Sequence, residues 1–211
     1  MGLVPILAIL LALAAPALAQ TEGCECLWQG PFVEVQEATD LVVSGSVSQV
    51  RGNAVDLSVE RVLRGQPSQS EIRIWMKTAD YCRPEVERFP VGSEWVMALS
   101  RIDEQVPGGF NPNTPNFSYG RVGDYALSAC GGYFLSRRGD LVTGNLVEGA
   151  RWDYKPKMNP ILLDLVAGFV AGELDSEALK EASEEDPALR EMMLDTKAFL
   201  RGDDEYLDEE P

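Results

Sequence analysis

Four cysteines are the residues of this 211-residue chain best equipped for chemistry, and two of them, Cys24 and Cys26, flank a single Glu25. The other two, Cys82 and Cys130, each stand alone. Three chemistries use such a set. Zinc sites of four cysteines are usually built from two close pairs, and a second close pair is lacking here. A thioredoxin-like redox site wants Cys-x-x-Cys opening a helix in an α/β pattern, and Cys24-Glu25-Cys26 meets neither condition. An even number of cysteines in an exported chain favours a disulfide framework. Three pairings are open. Joining Cys24 to Cys26 would close a very tight ring, so sterics favour the two in which each takes a distant partner. A bridge closing a loop of about 60 residues contributes roughly 4 kcal/mol in the chain-entropy model.

Histidine is absent. Ser-His-Asp and Cys-His catalysis and every His-containing zinc site are thereby removed. A carboxylate pair such as Glu85 and Glu87 would have to serve in an enzyme, and these two read as solvating a loop. No catalytic residue, no cofactor and no metal of the chain's own are expected.

The elements that must position the cysteines begin behind an export signal. Leu3 to Ala15 is almost wholly apolar, too short for the roughly 20 residues that span a bilayer. It carries Pro5 and is followed by Pro16, and it exits through Ala17-Leu18-Ala19, a small-x-small cleavage pattern. A signal peptide over 1–19 and an exported product, periplasmic or secreted, are expected. Cys24 follows Thr21-Glu22-Gly23, too polar and too far from the apolar run for a lipid anchor. Ile161 to Gly172 is interrupted by Asp164 and reads as an amphipathic helix, so no membrane span is expected.

From Leu41 the period is two. Leu41–Val50 and Ala54–Leu63 alternate around Gly52-Asn53, a hairpin signal. Further strands are expected at Glu71–Met76, Glu94–Leu99, Gly132–Ser136 and Asp140–Thr143, which together argue for a barrel or sandwich. Asp103 to Asn116 holds three prolines and Gly108-Gly109, and reads as a long loop of the kind often used for binding, with Phe110 at its middle. After Lys157 the period turns helical. Asn159-Pro160 starts one helix, with Ile161, Leu162, Leu165, Val166, Phe169 and Val170 on one face. Asp175 or Ser176 caps a second, and Pro187 opens a third.

The expected organisation is a signal peptide over 1–19, a barrel over 20–157, a helical extension over 158–201 and an acidic disordered tail over 202–211. Of the net charge of −16, residues 160–211 carry −12, with 16 acidic and 4 basic residues. Such a surface repels phosphate backbones, which argues against nucleic acid.

Several segments carry a resemblance. Cys-x-Cys is followed by Ala38-Thr39-Asp40-Leu41-Val42-Val43-Ser44-Gly45-Ser46-Val47, then by Val59-Glu60-Arg61-Val62-Leu63-Arg64-Gly65. Phe89-Pro90-Val91-Gly92-Ser93-Glu94-Trp95-Val96-Met97 and Cys130-Gly131 come later in the same order. Over roughly Cys24 to Leu146 the chain resembles the tissue inhibitors of metalloproteinases and the wider netrin-like modules. The resemblance implies a mainly β, OB-like antiparallel barrel of five or six strands, to which the helical periodicity after Lys157 adds a C-terminal α-helical extension. It also implies the pairs Cys24–Cys82 and Cys26–Cys130, while the third N-domain bridge of the animal inhibitors has no cysteines here.

In those inhibitors the first cysteine is the mature N-terminus, and its amine and carbonyl chelate the protease's zinc. The resemblance thus implies a protein partner, a zinc metalloproteinase, met by an edge of Cys24, Glu25, Cys26 and Leu27; Phe110, which could equally tuck back onto the barrel, is a further candidate contact from the loop pattern alone. Two departures stand against it. Cleavage after Ala19 leaves Gln20-Thr21-Glu22-Gly23 ahead of Cys24 and turns its amine into an amide, whereas cleavage after Gly23 would free it. Glu25 would enter a pocket that is often apolar, where an unpaired carboxylate is costly. The rival expectation is a non-inhibitory envelope or extracellular interaction module, using the Val106–Phe117 loop or the acidic helical extension.

Overall fold

The computed structural model describes residues 24–78, 81–106, 118–147 and 158–184. Five strands form a closed barrel: β1 (Leu41–Arg51), β2 (Ala54–Arg64), β3 (Glu71–Trp75), β4 (Glu94–Arg101) and β5 (Tyr125–Ala126). Their order is β1-β2-β3-β5-β4, and β4 returns to β1 through a register running from Leu41↔Leu99 to Ser46↔Glu94. Closure removes the open edges that a sheet would otherwise present. The barrel is OB-like, as the resemblance implies. One pairing is parallel, Ile74↔Tyr125 and Trp75↔Ala126 between β3 and β5, where an all-antiparallel barrel was expected.

The fifth strand of the barrel, β5, is not among the expected strands. The segment at Gly132–Ser136 forms β6 (Phe134–Arg138), which pairs with β4 over Glu94↔Arg137 to Met97↔Phe134. The two-residue β5 takes the far end of the same β4 edge, at Ser100↔Ala126 and Arg101↔Tyr125. From β6 the sheet continues outward through β7 (Leu141–Gly144) and β8 (Ile161–Leu162).

β4 therefore has a core on each side, which accounts for its unbroken apolar run. Trp95, Met97 and Leu99 point into the barrel with Leu41, Val43, Leu57, Ile74, Phe89 and Tyr125. Val96 and Ala98 point outward into a second core with Val42, Leu135, Val142 and Leu146. Side chains that alternate along a strand can serve both layers at once. Phe32, from the short helix α1 (Phe32–Val35) that precedes β1, is fully buried in the outer layer.

The helical extension docks on that outer layer. α2 (Leu163–Val170) contributes Leu163 and Val166, and α3 (Ser176–Ser183) contributes Leu179 at 0% exposure. Asp175 is the cap, accepting a hydrogen bond from the Ala178 N–H at 2.9 Å. α2 starts at Leu163 rather than at Pro160 as expected: Ile161 and Leu162 are extended and pair with Val142 and Leu141. An open strand edge on β7 supplies backbone partners that outcompete a first helical turn, whose N–H groups have none. The signal segment 1–19, Phe110, the helix expected from Pro187 and the 202–211 tail lie outside the described residues.

Candidate functional site

The chain reaches the barrel through a segment without regular structure, Cys24 to Gly30, that is bonded rather than loose. The Gln29 N–H donates to the Cys130 carbonyl at 2.7 Å and the Gly132 N–H to the Gly30 carbonyl at 2.9 Å. Next, Phe32 and Val33 donate to the carbonyls of Asn145 and Leu146 at 2.8 and 3.0 Å. The approach is close enough to require glycine at 132. A Cβ there would lie 2.5 Å from the Asn145 oxygen and 2.6 Å from the Phe32 nitrogen, and both are backbone atoms that cannot swing away. The phenol of Tyr133 donates to Gln29 Oε1 at 2.6 Å, and burial raises its pKa above the ordinary tyrosine value.

Two disulfides hold the start of this segment. Cys24 is joined to Cys82 with their Cα atoms 5.1 Å apart, and Cys26 to Cys130 at 5.8 Å. These are the pairs that the family resemblance implied. The receiving segments are themselves joined, since the Ala129 N–H donates to the Cys82 carbonyl at 2.9 Å. The four sulfurs consequently gather in one place, all within 4.8 Å of one another.

Between and after the bridged positions, Glu25 is exposed and Leu27 is 81% exposed. An isolated leucine this far in solvent is unremarkable on most surfaces. Here it sits on a covalently fixed edge beside an open cleft of about 720 Å³, which Cys24, Glu25, Cys26 and Leu27 line from one side. Lys77, Cys82, Arg83, Pro84, Glu85, Arg88 and Ala129 line the rest.

Charge in the cleft is mixed. Lys77 Nζ lies 2.5 Å from Glu85 Oε1, so the carboxylate considered for acid–base work is held in an exposed ion pair, and Glu87 is exposed. Arg83 is different. It is buried, donates to the Tyr119 carbonyl at 2.6 Å, and lies 4.5 Å from the centre of the Tyr81 ring. The Tyr81 and Tyr119 rings are 5.5 Å apart. Burial lowers the Arg83 pKa, and Tyr81 opposes that shift. Among the described residues no carboxylate forms an ion pair with Arg83.

The structure thus brings Cys24, Glu25, Cys26, Leu27, Cys82 and Cys130 together, while Phe110 lies outside the described residues. Sequence reasoning missed Arg83 and its neighbours Lys77 and Arg88. An arginine directly after a cysteine, in Cys82-Arg83-Pro84, was the one available signal. It also missed the anchoring of the long loop's exit. Ser118 is held by Asn53, which donates to the Ser118 carbonyl at 2.8 Å and accepts from its N–H at 2.9 Å, while Tyr119 is held by Arg83. Comparison of the chain with protein-family models, curated proteins and solved structures finds no match.

Proposed function

We propose that this is an exported protein-binding module whose Cys24–Leu27 edge enters a partner's cleft in the manner of a metalloproteinase inhibitor, with a zinc endopeptidase as the partner class. The observation that supports this reading is the exposure of Glu25 and Leu27 on an edge fixed by two disulfides. Fixing a contact edge in advance reduces the conformational entropy lost on binding. If processing frees the Cys24 amine, that amine and the Cys24 carbonyl can replace a zinc-bound water as a five-membered chelate. Glu25 then asks for a partner pocket with a cation or several N–H donors, because a buried unpaired carboxylate is strongly unfavourable. Among the described residues no helix is long and apolar enough to cross a membrane, and paired cysteines suit an oxidising compartment.

The test compares two forms of the protein, one starting at Cys24 and one at Gln20, against a panel of zinc endopeptidases. The Cys24 form is expected to inhibit at least one of them, and the Gln20 form to be weaker by a factor of at least about 100, since an amide nitrogen is a poor zinc ligand. Failure of the Cys24 form against every member of the panel defeats the inhibitor reading. A second reading, a non-inhibitory interaction module, draws on the anchoring of Ser118 by Asn53 and of Tyr119 by Arg83, the latter a residue of the same cleft. It predicts partner binding that is indifferent to the residue at which the chain starts.

A further inference from the structure

The sequence argued against a metal because Cys82 and Cys130 stand alone in the chain. Folding removes that objection. The two are brought together by the Ala129 N–H bond to the Cys82 carbonyl, and Cys24 and Cys26 are joined to them by the two disulfides. Four sulfurs within 4.8 Å of one another are close to what a single ion needs: a tetrahedral ion with bonds of about 2.3 Å sets its sulfurs about 3.8 Å apart. We propose that, once both disulfides are reduced, Cys24, Cys26, Cys82 and Cys130 form a tetrathiolate site for one soft divalent cation, zinc above all.

Three features support the site beyond the spacing. The segments that carry the cysteines are also held by backbone hydrogen bonds that involve no sulfur, Gln29 to Cys130, Ala129 to Cys82 and Lys77 to Pro84 among them. Cys130 is buried, Cys24 and Cys82 are half-buried and Cys26 is exposed, so the ion would be shielded from water on one side and reachable on the other. Four thiolates around a divalent ion carry two negative charges in excess, and the same cleft is lined by three cations, Lys77, Arg83 and Arg88, against two carboxylates, Glu25 and Glu85, the latter paired with Lys77. The set contains only sulfur donors, which selects zinc or another soft ion over magnesium or calcium.

The chemistry balances with a dithiol as reductant. Each protein disulfide takes two electrons and two protons from one dithiol, which leaves as its own disulfide, and the four protein thiols then release four protons on binding the ion. The site belongs to the reduced chain, the form that a disulfide protein passes through before oxidation. There it would hold Cys24 to Cys82 and Cys26 to Cys130 in the places their bridges later occupy. This inference is independent of the inhibitor reading.

Cobalt(II) serves as the probe. The full-length chain is reduced with a phosphine under anaerobic conditions, titrated with cobalt(II), then with zinc, while absorbance and far-ultraviolet circular dichroism are recorded. The expected result is one cobalt per chain, with thiolate-to-cobalt charge-transfer bands, the intense visible bands of a tetrahedral four-sulfur site, and full displacement by one zinc. Cys130→Ser and Cys82→Ser should each lose one thiolate's worth of charge-transfer intensity and shift the visible bands. If the reduced chain unfolds without metal, cobalt should restore its β spectrum, because a metal bound only by the folded arrangement of ligands adds its binding free energy to folding. Absence of the thiolate bands, bands unchanged in both variants, or metal binding that leaves an unfolded spectrum overturns the proposal.

Discussion

Asn53 occupies the second position of the two-residue turn between β1 and β2, where Arg51 pairs with Ala54 and Gly52 takes the positive φ of +59° that the turn needs. Its side chain is only 4% exposed and is bonded to both backbone groups of Ser118, while its own carbonyl accepts from Met76 N–H at 2.8 Å. Asn53→Ala would leave the Ser118 N–H and carbonyl without these partners in a buried place. The expected loss is about 2–3 kcal/mol of unfolding free energy, the sum of two modest hydrogen bonds and a desolvation penalty. Urea denaturation measures the loss, and hydrogen exchange at the Ser118 amide should accelerate more than at β4. A change below about 0.5 kcal/mol, the range of ordinary surface substitutions, would mean that Asn53 is only a turn residue. That turn role is all that the sequence shows of it, since its partner lies 65 residues away and no periodicity links the two. The cysteines teach the same lesson. Their number and the crowding of Cys24 on Cys26 narrowed the pairings, but the choice came from resemblance, and the proximity of Cys82 to Cys130 is a property of the fold alone.

Elements were legible in proportion to their length and to how much of their pattern is local. β1 and β2 are long enough for alternation to declare them, β4 declares itself as a short unbroken apolar run, and the expected bounds of all three lie within a residue or two of those observed. β5 has two residues, too few for any period, and exists because β3 and β4 leave a gap that Tyr125 and Ala126 fill. β8 carries Ile161 and Leu162, whose spacing fits a helix face equally well, and only the edge of β7 decides between the two. Docking of the helical extension rests on burial more than on helix propensity, because α2 and α3 are too short to be stable alone. Leu179→Ala should therefore cost about 2–5 kcal/mol, as for a fully buried leucine, whereas Asp175→Ala, which removes only the cap, should cost about 1 kcal/mol. Chemical denaturation of the two variants gives the ratio. The second core shares β4 with the first, so both should unfold in a single transition. A separate early transition abolished by Leu179→Ala would show instead that the extension is an independent unit.

For the molecule as a whole, the two disulfides tie its first described residues to the β3–β4 and β5–β6 connections, which meet at one place, over separations of 58 and 104 residues. The chain-entropy model assigns about 4 and about 5 kcal/mol to loops of these lengths. The second bridge closes in a chain already shortened by the first, so their sum is an upper bound. Set against a typical domain stability of about 5–15 kcal/mol, this places the reduced, metal-free protein near the edge of folding, even though its core is well filled. Reduction is expected to lower the melting temperature by about 15–30 °C, at the 2–4 °C per kcal/mol usual for a chain of this size. The double variant Cys24→Ser/Cys82→Ser, which keeps Cys26–Cys130, should lose roughly half as much, because Cys26 still holds the segment two residues on. Scanning calorimetry with and without a phosphine reductant makes both comparisons. An unchanged melting temperature on full reduction would mean that the bridges constrain an edge the barrel already holds through Gln29, Gly132 and Phe32, and that their contribution lies in presenting Glu25 and Leu27 rather than in stability. A large drop recovered by stoichiometric zinc would mean that one cluster of sulfurs can stabilise the fold in either of two chemical forms, since metal bound only by the native arrangement adds its binding energy to folding.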